Sequence, residues 1–94
     1  MITVYTKNVC PYCVKAKNYL ESKGIEYETI NIEENQTERN WLMEQGFRSV
    51  PQMFVNRKLL VEGGANALIR MTKDEILNKQ QQLIEETDAG TEPI

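Results

Sequence analysis

The sequence predicts an α/β fold: a four-stranded mixed sheet flanked by helices, with an extended C-terminal helix. Two observations carry this reading. Strand-type and helix-type hydrophobic patterns follow one another in the order β-α-β-α-β-β-α-α, and the opening strand–helix–strand unit implies a parallel pair joined by a right-handed crossover. The first strand is also apolar on both faces, as a strand covered from two sides must be.

Each element has its own signal. "ITVYT", residues 2–6, is rich in β-branched and aromatic residues and reads as a strand. From Pro11 to about Lys23 the pattern is helical, with Cys13, Ala16 and Leu20 at helical spacing and Gly24 as the stop. Pro11 suits the first turn, where its missing N–H leaves no bond unmade. "YETINI", residues 27–32, is a second strand with Ile30 and Ile32 on one face. Asn35, with Glu38 three residues later, marks the start of a helix that runs to about Gly46 and packs through Trp41 and Leu42. "QMFV" and "KLLV", separated by Asn56 and Arg57, form a hairpin. Residues 65–71 are helical after the Gly63–Gly64 pair, and Thr72 with Glu75 forms a capping box for a last helix reaching about Glu86. Its Ile76, Leu77, Leu83 and Ile84 are expected to pack on the domain. The expected domain therefore spans residues 1–86, with 87–94 as a tail.

Composition narrows the function. At 94 residues the chain has room for one domain and one modest core. A formal net charge of -3 offers no long-range attraction for nucleic acid or an anionic membrane. No run approaches the ~18 apolar residues of a membrane span, and the chain enters a strand without signal-peptide chemistry. The expectation is a cytoplasmic protein, where thiols are kept reduced unless they turn over.

Both cysteines lie in "TKNVCPYCVKAK", separated only by Pro11 and Tyr12. A zinc site needs about four ligands, commonly Cys and His. Two Cys and no His do not supply them, so no metal is expected. A disulfide closing so short a loop removes little chain entropy, which argues against a structural staple. A redox centre remains. Cys10 sits just before a helix, whose free N–H groups and dipole favour an anion, so it is the thiol that gains most from ionising. That makes Cys10 the nucleophile and Cys13, one turn inside, the resolving group.

"TKNVCPYC" resembles the active site of the dithiol glutaredoxins, a branch of the thioredoxin-like fold. The similarity continues through "SVP" at 49–51 and "GG" at 63–64, covering about residues 1–71. The resemblance implies a redox-active Cys10–Cys13 disulfide, glutathione as the reducing co-substrate, and protein disulfides and glutathione mixed disulfides as substrates. Pro51 matches a cis-proline that turns the backbone of Val50, after Ser49, toward a bound disulfide. Lys7 matches a basic residue near the glycine carboxylate of glutathione, and Tyr12 a ring flanking its groove. Gly63, Gly64, Ala65 and Asn66 match the turn that receives the γ-glutamyl carboxylate, although Ala67 stands where the family commonly has Asp. On the second helix the position facing the glycine carboxylate falls on Glu38 or Arg39, of which only Arg39 has the right charge.

"GFRSVP" at 46–51 is similar to the redoxins dedicated to ribonucleotide reductase, which are recharged by thioredoxin reductase. This keeps ribonucleotide reductase as a candidate electron acceptor and the redoxin as an alternative reading. A second alternative is a glutaredoxin holding a [2Fe–2S] cluster between two protomers, an arrangement that Pro11 disfavours. A monomer is expected.

Overall fold

The computed structural model describes residues 1–91, with side chains through Glu86. Its elements follow the expected order: β1 (Ile2–Thr6), α1 (Pro11–Ser22), β2 (Tyr27–Asn31), α2 (Gln36–Glu44), β3 (Gln52–Val55), β4 (Lys58–Leu59), α3 (Gly64–Leu68) and α4 (Lys73–Thr91). The four strands form one sheet in the order β2-β1-β3-β4. β1 runs parallel to β2 and antiparallel to β3, and β3 and β4 make an antiparallel hairpin. The mixed sheet is as expected.

Alternation along the strands sends side chains to two cores. Ile2, Val4, Met53 and Val55 face Ala16 and Leu20 of α1, Ala65 and Leu68 of α3, and Ile76 and Leu83 of α4. On the opposite face Tyr5 and Phe54 pack with Leu42 of α2, joined at the margin by Ile30, Ile32, Trp41, Phe47 and Val50. Three helices thus cover one face and one helix covers the other. Ile76, Leu83 and Ile84 pack as expected, whereas Leu77 is exposed.

Helix ends follow local chemistry. α1 closes at Gly24, whose φ of +68° suits glycine, and the chain turns so that Ile25 N–H donates to Leu20 O at 2.9 Å. Thr72 and Glu75 cap α4 reciprocally: Thr72 N–H donates to the Glu75 carboxylate at 2.9 Å, and Glu75 N–H to Thr72 Oγ1 at 3.2 Å. α3 is shorter than expected, ending at Leu68 rather than Met71. Past Leu68 the chain tightens into three-residue turns, Arg70 N–H donating to Ala67 O at 3.2 Å and Met71 N–H to Leu68 O at 3.0 Å, and the Tyr19 hydroxyl of α1 donates to the Met71 carbonyl. α4 is longer, continuing beyond Glu86 to Thr91, because no strong breaker precedes Gly90 and Pro93. The expected tail at 87–94 is therefore helical as far as Thr91, and its last part lies outside the described residues.

Asn35 caps α2 by accepting from Glu38 N–H at 3.1 Å, but the Glu38 carboxylate does not return the bond. It accepts from the Tyr5 hydroxyl at 3.3 Å and pairs with Arg57 at 2.9 Å. Arg57 also lies 4.4 Å above the Trp41 ring. Asn56 and Arg57 both have positive φ, 51° and 68°, as a tight two-residue hairpin turn requires. Left-handed backbone is unusual for Arg, and the Glu38–Trp41 clamp holds it there.

Burial, reinforced by the Glu38 carboxylate, pushes the Tyr5 phenol up from 10.0 to about 12. An acid whose pKa is raised on folding contributes stability that is complete below its unfolded value and is lost as pH rises through the folded one. Unfolding stability is therefore expected to fall between pH 10 and about 12. Tyr5→Phe should delete the phenol that ionises near pH 12 in an ultraviolet titration. An unchanged titration above pH 11 (roughly one unit past an ordinary tyrosine) would contradict this.

Candidate functional site

The C-terminal ends of the parallel pair β1 and β2 lie at one edge of the sheet, and β1 leads there into the loop Lys7–Val9 and then Cys10. Cys10 is the N-cap of α1, with extended backbone (φ -148°, ψ 92°) and Pro11 directly after it. Its sulfur accepts the Cys13 backbone N–H at 3.1 Å. In this way the helix start directs a free donor at the sulfur, as an N-cap side chain would normally require. The two cysteines are joined as a disulfide with Cα atoms 5.2 Å apart. They differ in accessibility: Cys10 is 8% exposed and Cys13 1%.

A hydrogen-bonded ring fixes the loop before Cys10. Asn31 Nδ2 donates to Asn8 Oδ1 at 2.7 Å, Asn8 Nδ2 donates to Glu33 Oε2 at 3.1 Å, and Glu33 N–H donates to Asn31 Oδ1 at 2.9 Å. Asn8 N–H adds a fourth bond, to Glu33 Oε1 at 3.2 Å. The ring ties the loop after β1 to the turn after β2. Lys7 lies exposed next to it, and Val9, 82% exposed, projects beside Cys10.

Across from Cys10 lies the segment 49–52. The Val50–Pro51 peptide bond is cis, and Cys10 Sγ is 3.8 Å from the Val50 carbonyl oxygen. Gln52, buried at the start of β3, donates from Nε2 to Ser49 O at 3.2 Å and to Ser49 Oγ at 3.4 Å, closing this segment on itself. The Gly63–Gly64 turn presses against it. Gly64 has φ +67°, and a Cβ there would stand 3.2 Å from the Pro51 carbonyl oxygen. A side chain at Gly64 would therefore meet both a backbone penalty and a crowded neighbour.

Between these parts runs a cleft of about 310 Å³, within the range of small-molecule sites. Tyr12, Ser49, Val50, Pro51, Gly63, Gly64, Ala65 and Asn66 all line it, together with Gln52. Tyr12 is 56% exposed at its rim. Lys15 of α1 reaches Asn66 of α3 at 3.4 Å, bridging the two helices. Arg39 is not part of this cleft; it lines a second one with Phe47 and Arg48. Glu38 faces neither cleft with a free carboxylate, being held by Tyr5 and Arg57. Sequence reasoning missed Gln52, Lys15 and the Asn8–Asn31–Glu33 ring. The Lys15–Asn66 bond and the ring depend on pairing between distant segments, for which a linear pattern carries no signal, whereas Gln52 bonds locally to Ser49 and was within reach of the sequence as the neighbour of Pro51.

The family model described as glutaredoxin matches residues 2–60. Glutaredoxin 1 of Rickettsia conorii (strain ATCC VR-613 / Malish 7) is 36% identical over 95 aligned residues, covering 98% of this chain and 88% of its own length. Glutaredoxin 3 of Escherichia coli (strain K12) is 35% identical over 68, covering 71% of this chain and 80% of its own. Among solved structures, the glutaredoxin-like protein NrdH-redoxin from Escherichia coli superposes with a TM-score of 0.57 at 34% identity, covering 60% of this chain and 74% of its own.

Proposed function

Because the chain belongs to the glutaredoxin family and is a dithiol–disulfide oxidoreductase, we propose that it uses glutathione to reduce protein disulfides and glutathione mixed disulfides, with Cys10 as the attacking thiol. The observation that carries this reading is the Cys10–Cys13 pair at the start of α1, with the Cys13 N–H on the Cys10 sulfur. In the reduced protein that donor and the helix dipole favour a thiolate at Cys10. Cys13 is buried in the first turn and has less access to incoming sulfur.

The Cys10 thiolate attacks one sulfur of a client disulfide and expels the other as a thiolate. Cys13 then loses its proton to that leaving thiolate and attacks Cys10 Sγ. The client departs as a dithiol, and the Cys10–Cys13 disulfide is left. One glutathione thiolate opens that disulfide to a glutathione–Cys10 adduct; a second attacks the adduct, releasing oxidised glutathione and the dithiol protein. The cleft beside Pro51 and Gly64 accommodates the glutathionyl group. Asn66 and the N–H groups of the turn at its far end serve the γ-glutamyl moiety, and Lys7 supplies positive charge for the glycine carboxylate, a role that Arg39, on the second cleft, does not share. Ribonucleotide reductase is a candidate client, and a cytoplasmic monomer is the working form.

A second reading rests on "GFRSVP" and on the NrdH-redoxin relative, described as having a thioredoxin-like activity profile. One assay separates the two. The oxidised protein is supplied with glutathione plus glutathione reductase, or with thioredoxin reductase, each with NADPH. Turnover with the first and background with the second is expected. The reverse outcome would assign the chain to the redoxin reading.

A further inference from the structure

The second cleft, about 220 Å³, has an apolar floor of Ile32, Leu42, Met43 and Phe47, and its charged residues are Arg39 and Arg48. Neither guanidinium has an ion-pair partner among the described residues, where the pairs formed are Arg57–Glu38 and Lys58–Glu86. Met43, 45% exposed, presents its apolar side chain to this cleft. One short segment borders both this cleft and the substrate cleft. Phe47 and Arg48 line the second, and Ser49 and Val50 line the first. Phe47 and Val50 also pack on the same Tyr5–Leu42–Phe54 cluster, so the segment between the clefts is anchored from below.

We propose that this cleft is a docking subsite for protein clients that takes an apolar side chain flanked by carboxylates. That side chain would belong to the same client segment whose disulfide lies over Cys10. Charge complementarity selects the occupant. Two guanidiniums beside an apolar floor favour acidic neighbours around a buried aliphatic or aromatic group and disfavour basic ones. A glutathione mixed disulfide of a small thiol is too short to use the subsite, so the cleft separates protein clients from one another without affecting the basal exchange. The proposal rests on disulfide exchange at Cys10.

The test uses two synthetic peptides, each with one intramolecular disulfide, followed either by Asp-Leu-Asp or by Lys-Leu-Lys. The mixed disulfide of glutathione and 2-mercaptoethanol serves as a small control. With glutathione as reductant, kcat/KM for the acidic peptide should exceed that for the basic one by about tenfold, mainly through KM, as two partly exposed ion pairs allow. Arg48→Ala and Met43→Asp should each reduce that preference to less than about threefold, the loss of one such contact. Both should leave turnover of the small control unchanged. Met43→Asp separates local docking from long-range attraction, since it places a carboxylate in the cleft itself. Equal rates on the two peptides, or a preference that survives both substitutions, overturns the subsite. Failure of the unsubstituted protein on the small control would instead overturn the exchange reading on which the subsite depends.

Discussion

Cys10→Ser is expected to abolish both deglutathionylation and protein-disulfide reduction, while Cys13→Ser retains the first and loses most of the second. The asymmetry follows from position. Cys10 is the N-cap, its sulfur receives the Cys13 N–H, and the cleft opens beside it. Cys13 is 1% exposed inside the first turn and has no comparable route to an incoming disulfide. In Cys13→Ser the Cys10 thiolate survives, and free glutathione can resolve a glutathione adduct, so deglutathionylation continues. A bulky client held on Cys10 depends on its neighbour. The adjacent thiol acts at an effective concentration far above millimolar glutathione, so its loss should slow client release by on the order of 10²-fold or more. Steady-state rates on both substrate types, with mass spectrometry of the Cys13→Ser protein after client exposure, read this directly. A covalent client adduct is expected. Cys13→Ser failing on both substrates while Cys10→Ser spares deglutathionylation would reverse the assignment.

Ile76→Ala should destabilise the fold by about 2–5 kcal/mol, the usual range for deleting a large buried aliphatic side chain. Ile76 is 0% exposed and Leu83 4%, and both belong to the core shared by β1, β3, α1 and α3. The family match ends at residue 60, yet the residues beyond it seal the face of the sheet opposite α2. A domain of this size has a total stability of only about 5–14 kcal/mol, so one substitution removes a large share. Truncation after Met71, which strips both side chains, should leave a chain without cooperative unfolding. Urea melts followed by circular dichroism give the comparison. A midpoint for Ile76→Ala unchanged from the parent would mean that α4 is not part of the core.

Local signals made much of this legible in advance. Pro11 and Gly24 bracket α1, Asn35 starts α2, and Thr72 with Glu75 starts α4, because caps are chemistry between residues a few positions apart. The sulfur centre and the residues around its cleft were equally readable, since CPYC, SVP and GG each sit in one short window. What escaped was tertiary. Glu38 suits a reciprocal cap by spacing, but Arg57 arrives from a hairpin and takes its carboxylate. α3 gives way after Leu68 to tighter turns whose end is met by Tyr19 from another helix. Arg39 lines the second cleft rather than the first because α2 lies on the other face of the sheet.

The Asn8–Asn31–Glu33 ring has a consequence for how varied clients are handled. A cycle in which every member both gives and receives has one sense of circulation. Turning one amide over sets donor against donor or acceptor against acceptor. The loop carrying Lys7 and Val9 therefore behaves as a fixed jaw rather than a hinge. Shape adaptation then falls to exposed side chains, Val9 on the loop at 82% and Tyr12 at the start of α1 at 56% exposure, which can rotate at little cost to the frame. The expectation is that a client's chain bends to this edge rather than the reverse. Clients whose disulfides lie in flexible segments should accordingly be preferred over those whose disulfides are locked in folded cores.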